Sequence, residues 1–564
     1  MLLHQLDVSE EGRFEELSVE RDEAILDAGP QDRFLLDLSD TDDDGLLRCR
    51  RTLAAYRATV GVCGARLVAI LPAGREYLLE AEFAPLVVHL GRPRGTAVLS
   101  RHLRVDGVDF APEQLTEAEL VRFSAASPMR EIARFAGLVR RARDSGRYGG
   151  DFASWCAEAM AAVTDRTGEA AAQVNAHRSV PERALLLAAA MLDGATGDAV
   201  FHGSRLLLRN LDHREDETPR LAQADFGEEL KCLRIQRDDE GRVGFERLAY
   251  DGAIRTHFWV NFPDLREGMR DWVAQCVAMP DLTPDDRGRL VSRVVEQVLG
   301  VDRPDDVRIL VESWTRPTAS RPFRVEAAAA LETGLGHERY GATFREQAYT
   351  WAISPALPTN LVHVLARVCH QVIARTHPNQ ALVRLHHLAL HPGREEAEAA
   401  REALFELAVS SERLYRRLID RLLHRQRGRP ELNLALLVRL LEPDVLPFRR
   451  FWPDLIRAWR TVMAERPPQE WEATVRRWLS TVRQDSGWDP MLDILTSAAA
   501  DRPDALNRLY VIAGSWARND PPPLSDGIRS REMVADRLRH KIDVAQGFDP
   551  MEDEPDVSDS GEAQ

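Results

Sequence analysis

The sequence predicts a mainly α-helical protein that opens with a small α/β portion, and three observations predict it. Within residues 1–115, short apolar runs end in acidic residues or proline and alternate with helical segments. From Thr116 the apolar residues recur at three- and four-residue spacing, the period of an amphipathic helix. Beyond Asp264 almost every segment carries that helical spacing, and short Pro- or Gly-bearing links separate them.

Taken in order, Arg33–Leu38 reads as a buried strand that runs into Asp37-Leu38-Ser39-Asp40. Leu46–Val60 reads as a helix, and Arg66–Leu71 as a second strand stopped by Pro72. Pro85–Leu90 reads as a third strand closed by Gly91-Arg92-Pro93, before a helix over Arg94–Leu103. Buried strands alternating with helices predict a parallel sheet covered on both faces. Glu117–Phe123, Met129–Arg143, Phe152–Thr164 and Pro181–Leu192 follow as helices, Pro181 suiting a first helical position. After a polar break at Asp212–Arg220, Leu233–Gln236 and Val243–Arg247 read as a hairpin around a turn that contains Gly241. Twelve helical segments from Leu282 to Arg518 then suggest stacked pairs, a solenoid-like helical repeat without a strict sequence period. Between Asp549 and Glu562 there are seven acidic residues and no basic one, which predicts a solvated, disordered tail.

Composition narrows the function classes. At 564 residues the chain is long enough for several domains. A formal charge of −16 disfavours non-specific nucleic-acid binding, which depends on neutralising phosphates. Met1-Leu2-Leu3-His4 leads at once into Asp7, Glu10 and Glu11, without the apolar core of a signal peptide, so a cytoplasmic location is expected. The run Ala184–Leu192 falls far short of the roughly 20 apolar residues that cross a bilayer. Six scattered cysteines with no C-x-x-C pair read as buried free thiols. Arginine vastly outnumbers lysine, as in a GC-rich, actinobacterial type of genome.

The chemistry-bearing candidates are few. Asp37 and Asp40 follow the first strand as an acidic arm, and Asp37 is the candidate metal ligand. Asp40-Thr41-Asp42-Asp43-Asp44-Gly45 imitates the opening of a calcium loop, but Arg51 stands where the bidentate glutamate belongs, so a solvated turn is expected. His386, His387 and His391 cluster with His370 and His377 nearby, lack an H-E-x-x-H pattern, and read as ordinary surface or partly buried side chains. Tryptophans between Trp314 and Trp516 read as inter-helix packing.

Leu35-Leu36-Asp37-Leu38-Ser39-Asp40, then Leu67–Pro72, then Leu86–Leu90 with Gly91-Arg92-Pro93, resembles the distal part of an AAA+/STAND-type P-loop NTPase domain. The resemblance implies a partial P-loop-NTPase-like sheet (residues 1–115), a helical lid (116–164), a winged-helix-like domain (165–262), a helical-repeat region (263–520) and an acidic tail (521–564). It gives Asp37 the metal-coordinating position and Asp40 that of a second acidic residue. No G-x-x-x-x-G-K-[ST] loop is present, and the only lysines, Lys231 and Lys541, lie outside any glycine-rich turn. Met1–Leu6 would be the tail of the missing helix, so either the module is degenerate or the reading frame begins too late. The expectation is a regulatory or scaffold protein that needs no cofactor, binds Mg-nucleotide weakly if at all, recognises a protein partner through its helices and can oligomerise. The alternatives are an active ATPase truncated at its N-terminus and a winged-helix transcriptional regulator.

Overall fold

The computed structural model describes residues 14–17, 28–39, 41, 43–72, 74–164, 166–211, 213, 220–222, 224–317, 323–391, 394–424, 429–446, 453–518 and 529–548. Asp40, Asp42, the Met1–Leu6 segment and the acidic run from Asp549 lie outside the described residues. The chain divides into two compact units, residues 1–347 with 358–364, and residues 348–357 with 365–564. No described helix is long and apolar enough to cross a membrane.

The first unit opens with a parallel sheet in the order β1 (Phe14–Leu17), β2 (Arg33–Asp37), β3 (Arg66–Ile70). Phe34, Leu36 and Leu38 project to one side, where α1 (Asp43–Cys63) buries Leu46, Cys49, Leu53, Tyr56 and Val60 against them. The apolar spacing of α1 therefore matches the period-two face of β2. Two expectations fail here. Val68 and Ile70 on β3 are 40% and 41% exposed, so this outer strand is covered on one face rather than two. Pro85–Leu90 is not a strand: Ala81–Leu86 winds into a 3₁₀ turn, and Val88 and Leu90 stand exposed beyond it. Pro85 has no N–H to give a ladder, which favours the turn over a further strand. β1 carries too short an apolar signal to have been read from sequence.

The helices of the first unit are α2 (Gly95–Val105), α3 (Ala118–Ala126), α4 (Met129–Ser145), α5 (Phe152–Thr164), α6 (Arg166–Ala176), α7 (Val180–Met191), α8 (Gly197–Asn210) and α9 (Phe226–Cys232). The hairpin β4 (Ile235–Arg237) and β5 (Val243–Phe245) follows, antiparallel as expected, with Gly241 at φ +78 in its turn. Then come α10 (Tyr250–Asn261), α11 (Arg266–Cys276), α12 (Pro284–Gly300), α13 (Pro304–Trp314), α14 (Arg324–Leu335), α15 (Gly341–Ala352) and α16 (Thr359–Val368), the last two reaching the second unit. Ser179 caps α7, accepting from the Glu182 N–H, and every residue from Ala184 to Met191 is buried. A helix apolar on all sides is a core helix.

The second unit holds α17 (Ala374–Thr376), α18 (Pro378–Ala389), α19 (Arg394–Val409), α20 (Glu412–Leu423), α21 (Pro430–Leu440), α22 (Pro453–Glu465), α23 (Pro468–Gln484), α24 (Pro490–Ala499), α25 (Pro503–Ala517) and α26 (Arg531–Ala545). Proline opens α18, α21, α23, α24 and α25, where its missing N–H leaves no helical bond unmade. α26 lies inside the segment expected to be a tail: Val534, Ala535, Leu538 and Ile542 are buried against α23, α24 and α25. Trp459, Trp471 and Trp478 are fully buried, as packing requires. The Trp459 and Trp478 rings meet edge to face at 5.1 Å, and Trp478 Nε1 donates to the Leu441 carbonyl at 2.6 Å.

His386 is fully buried, not at the surface. Arg421 Nε donates to its Nδ1 at 2.8 Å, so the ring proton sits on Nε2 and points at Asn433 Oδ1, 2.9 Å away. Burial, and then the Arg421 charge, drive its pKa down to about 3. His391 Nε2 lies 3.2 Å from the Leu357 carbonyl. Because the unfolded chain takes up a proton at His386 that the folded chain refuses, this group removes stability as pH falls below about 6.5. We expect His386→Gln, which keeps an amide donor and acceptor, to flatten the loss of denaturation midpoint between about pH 6.5 and 4. An unchanged acid dependence in the variant would contradict the assignment.

Candidate functional site: an arginine-lined cleft

The acidic arm is simple in its surroundings. Asp37 sits exposed at the C-terminal end of β2, and its Oδ1 accepts from the Ser39 N–H at 2.9 Å and from Ser39 Oγ at 2.7 Å. The carboxylate thus closes its own turn. Asp43 and Asp44 start α1, and Asp43 pairs with Arg75 at 3.2 Å. Asp40 lies outside the described residues. Neither Asp37 nor the histidines around His386 join a metal-competent group among the described residues.

The chemistry gathers elsewhere in the first unit. A cleft of about 510 Å³ opens between the C-terminal end of α4, the loop after α7, the β4–β5 hairpin and the start of α10. That volume falls within the range of small-molecule sites. Six arginines line it, Arg140, Arg141, Arg147, Arg237, Arg242 and Arg247, against four aspartates, Asp144, Asp193, Asp238 and Asp251. In a chain of net charge −16, such a concentration of guanidinium is a local reversal of sign.

The hairpin is fastened in place by backbone. The Gly194 N–H donates to the Val243 carbonyl at 2.7 Å, and the Val243 N–H donates to the Ala195 carbonyl at 2.8 Å. Thr196 bridges to Arg242 and then caps α8. Gly194 holds φ +82, a left-handed conformation that residues with a side chain resist. Arg237 lies across two glycines, since a Cβ on Gly197 would meet its Cζ at 3.2 Å and one on Gly241 its Nη2 at 3.4 Å. On the facing wall, the Tyr148 hydroxyl donates to the Glu246 carbonyl at 2.7 Å.

Three of the six guanidiniums are already neutralised. Arg247 pairs with Glu169 at 2.6 Å, Arg242 with Glu240 at 3.4 Å and Arg140 with Asp106 at 3.6 Å. Arg141, Arg147 and Arg237 have no ion pair among the described residues. Two of these come from α4 and its following turn, the third from the hairpin, so the two walls present positive charge to one space.

The floor is a buried charge cluster. Arg255 Nη1 donates to Asp251 Oδ2 at 2.6 Å and to the Ala190 carbonyl at 2.7 Å. Arg293 Nη1 donates to the carbonyls of Met191 and Asp193 at 2.9 and 3.0 Å, and its Nη2 reaches Asp193 Oδ2 at 3.5 Å. Burial works against the charge on Asp251, yet the Arg255 guanidinium holds its carboxyl below the ordinary value. Asp193 goes the other way: burial, then the neighbouring Asp251 charge, push it up to about 6 despite Arg293 and Arg255. Two carboxyls with opposed shifts beneath a cleft mark a functional-site candidate.

Sequence reasoning missed this site. Its signal was present in Arg140-Arg141 with Arg147, and in Arg237, Arg242 and Arg247 spaced five apart through the hairpin. Arginine is so common in this chain that neither group stood out. No family model, curated protein or solved structure matches the chain.

Folded Asp193 keeps its proton to a higher pH than it does in the unfolded chain. Its stabilising contribution is therefore present near pH 4 and lost as pH rises through about 6. Asp193→Asn removes that dependence. Denaturant midpoints measured from about pH 4 to 7 should show the variant gaining on the parent as pH rises, and a constant difference would refute the shift.

Proposed function

We propose that this chain is a regulatory scaffold protein whose first unit takes up a phosphorylated small molecule in the arginine cleft, and whose later helices carry a protein partner. The observation behind the reading is the set of three unpaired guanidiniums, Arg141, Arg147 and Arg237, converging from two walls. Arginine suits this task because its planar fork meets phosphate oxygens two at a time. Asp37 is not among the lining residues, so the proposed ligand is read away from the acidic arm.

This remains a regulatory form of the degenerate STAND-like module. The winged-helix transcriptional reading is less favoured. The helix that leads into the hairpin, α9, carries Glu228 and Glu229 against one lysine, a face that repels a phosphate backbone. The helical-repeat proposal for the later region draws support from the way α20 packs on α22, α22 on α24, α23 on α25 and α24 on α26. Contact between each helix and the next but one is the pattern that stacked helix pairs produce.

Calorimetric titration of the full chain with pyrophosphate and with adenine nucleotides tests the cleft. We expect saturable binding that weakens with salt, and at least tenfold weaker binding, about 1.4 kcal/mol, in Arg141→Ala and in Arg237→Ala. Absence of binding for every phosphate probe at about 50 mM salt, or variants that bind as the parent does, would refute it. Phosphate release from ATP is expected at background level in both the parent and Asp37→Ala. Turnover abolished by Asp37→Ala would instead establish the ATPase alternative.

A further inference from the structure

We propose a zinc-class metal site formed by His177, Glu182 and Cys232, at the C-terminal end of α9. A ring nitrogen of His177, a carboxylate oxygen of Glu182 and the Cys232 thiol sulfur all lie within 4.8 Å of one another. Imidazole, carboxylate and thiolate together select a borderline-soft divalent ion, and zinc accepts all three donors. Tetrahedral zinc places neighbouring ligand atoms about 3.3–3.7 Å apart, so the side chains need draw in by at most about 1.5 Å, and His177 Nδ1 already lies 3.6 Å from Glu182 Oε2. They have the freedom to do so: Cys232 is exposed, and the Glu182 and His177 side chains keep 39% and 19% of their surface accessible.

The backbone that carries these donors is fixed independently of them. His177 follows the end of α6, Glu182 sits in the first turn of α7, and Cys232 ends α9. Arg183 ties the first two segments, its Nε donating to the His177 carbonyl at 2.9 Å and its Nη2 to the Val174 carbonyl at 3.2 Å. Gln173 ties the third, its Nε2 donating to the Leu233 carbonyl at 2.5 Å, while the Tyr250 hydroxyl lies 2.6 Å from Gln173 Oε1. The thiol has no hydrogen-bond partner among the described residues, and the Glu182 carboxylate meets only His177, at 3.6 Å. The Arg183 and Gln173 bonds hold the ligand-bearing backbone segments in place without any metal. Metal binding would replace the thiol proton, which passes to solvent, and leave a fourth position to water. The thiolate and carboxylate balance the two charges of the ion.

Cobalt(II) is the probe, because a cobalt–thiolate bond absorbs in the near ultraviolet. The full chain, stripped with EDTA and desalted into reducing buffer, should bind one equivalent of Co²⁺ with that charge-transfer band, and Zn²⁺ should displace it. Cys232→Ser should lose the band, whereas Cys63→Ser, at the other accessible cysteine, should keep it. His177→Ala and Glu182→Gln should each weaken Co²⁺ at least tenfold with unchanged circular dichroism. A parent protein without the band, or a band that survives Cys232→Ser, overturns the proposal.

Discussion

Two guanidiniums, the buried Arg255 and the partly buried Arg293, hold the central part of the first unit together. Arg255 and Arg293 reach the last carbonyls of α7 and the loop beyond it, satisfying acceptors that the end of a buried helix leaves open. Positive charge at that end also complements the helix dipole. Burying two cations is tolerable only with counter-charges, which Asp251 and Asp193 supply. The loop so fixed includes Gly194 and Ala195, whose backbone carries the hairpin. Removing Arg255 would leave the buried Asp251 carboxylate without its direct partner, a loss of about 3–5 kcal/mol for such pairs.

The cleft follows from that arrangement. The charge cluster forms its floor, the hairpin one wall and α4 the other. The floor carboxylates pair with Arg255 and Arg293, and on the walls Arg141, Arg147 and Arg237 keep no ion pair among the described residues. Asp193 is poised by its burial to change charge near pH 6. A ligand with negative charge entering above it would favour the protonated form further, so occupancy and proton uptake at this position are physically linked.

The hairpin connects this cleft to the proposed metal ligands. α9 ends in Cys232 and runs directly into β4, whose Arg237 lines the cleft. Gln173, bonded to the Leu233 carbonyl and to the Tyr250 hydroxyl, ties the residue after α9 to the start of α10. The segment from Cys232 to Arg237 thus contributes to both proposals, while the acidic arm at Asp37 serves its own turn at the end of the N-terminal sheet.

The sequence by itself determined the helical character, the hairpin with its Gly241 turn, the boundaries of α4, α5 and α7 to within two residues, and the burial of Trp314, Trp351, Trp459, Trp471, Trp478 and Trp516. Those features depend on local period and turn chemistry, which a single chain displays. It misjudged the Pro85–Leu90 run and the covering of β3, because apolar content does not say whether a partner element exists. It also took α26 for part of a tail, since its four apolar contacts lie among charged residues. Only the tertiary structure decided the candidate sites. Arg141 and Arg237, or His177 and Cys232, are far apart along the chain and become neighbours only when α7 is capped and the hairpin is fastened to its end. Proximity of that kind is a property of packing, and no local pattern encodes it.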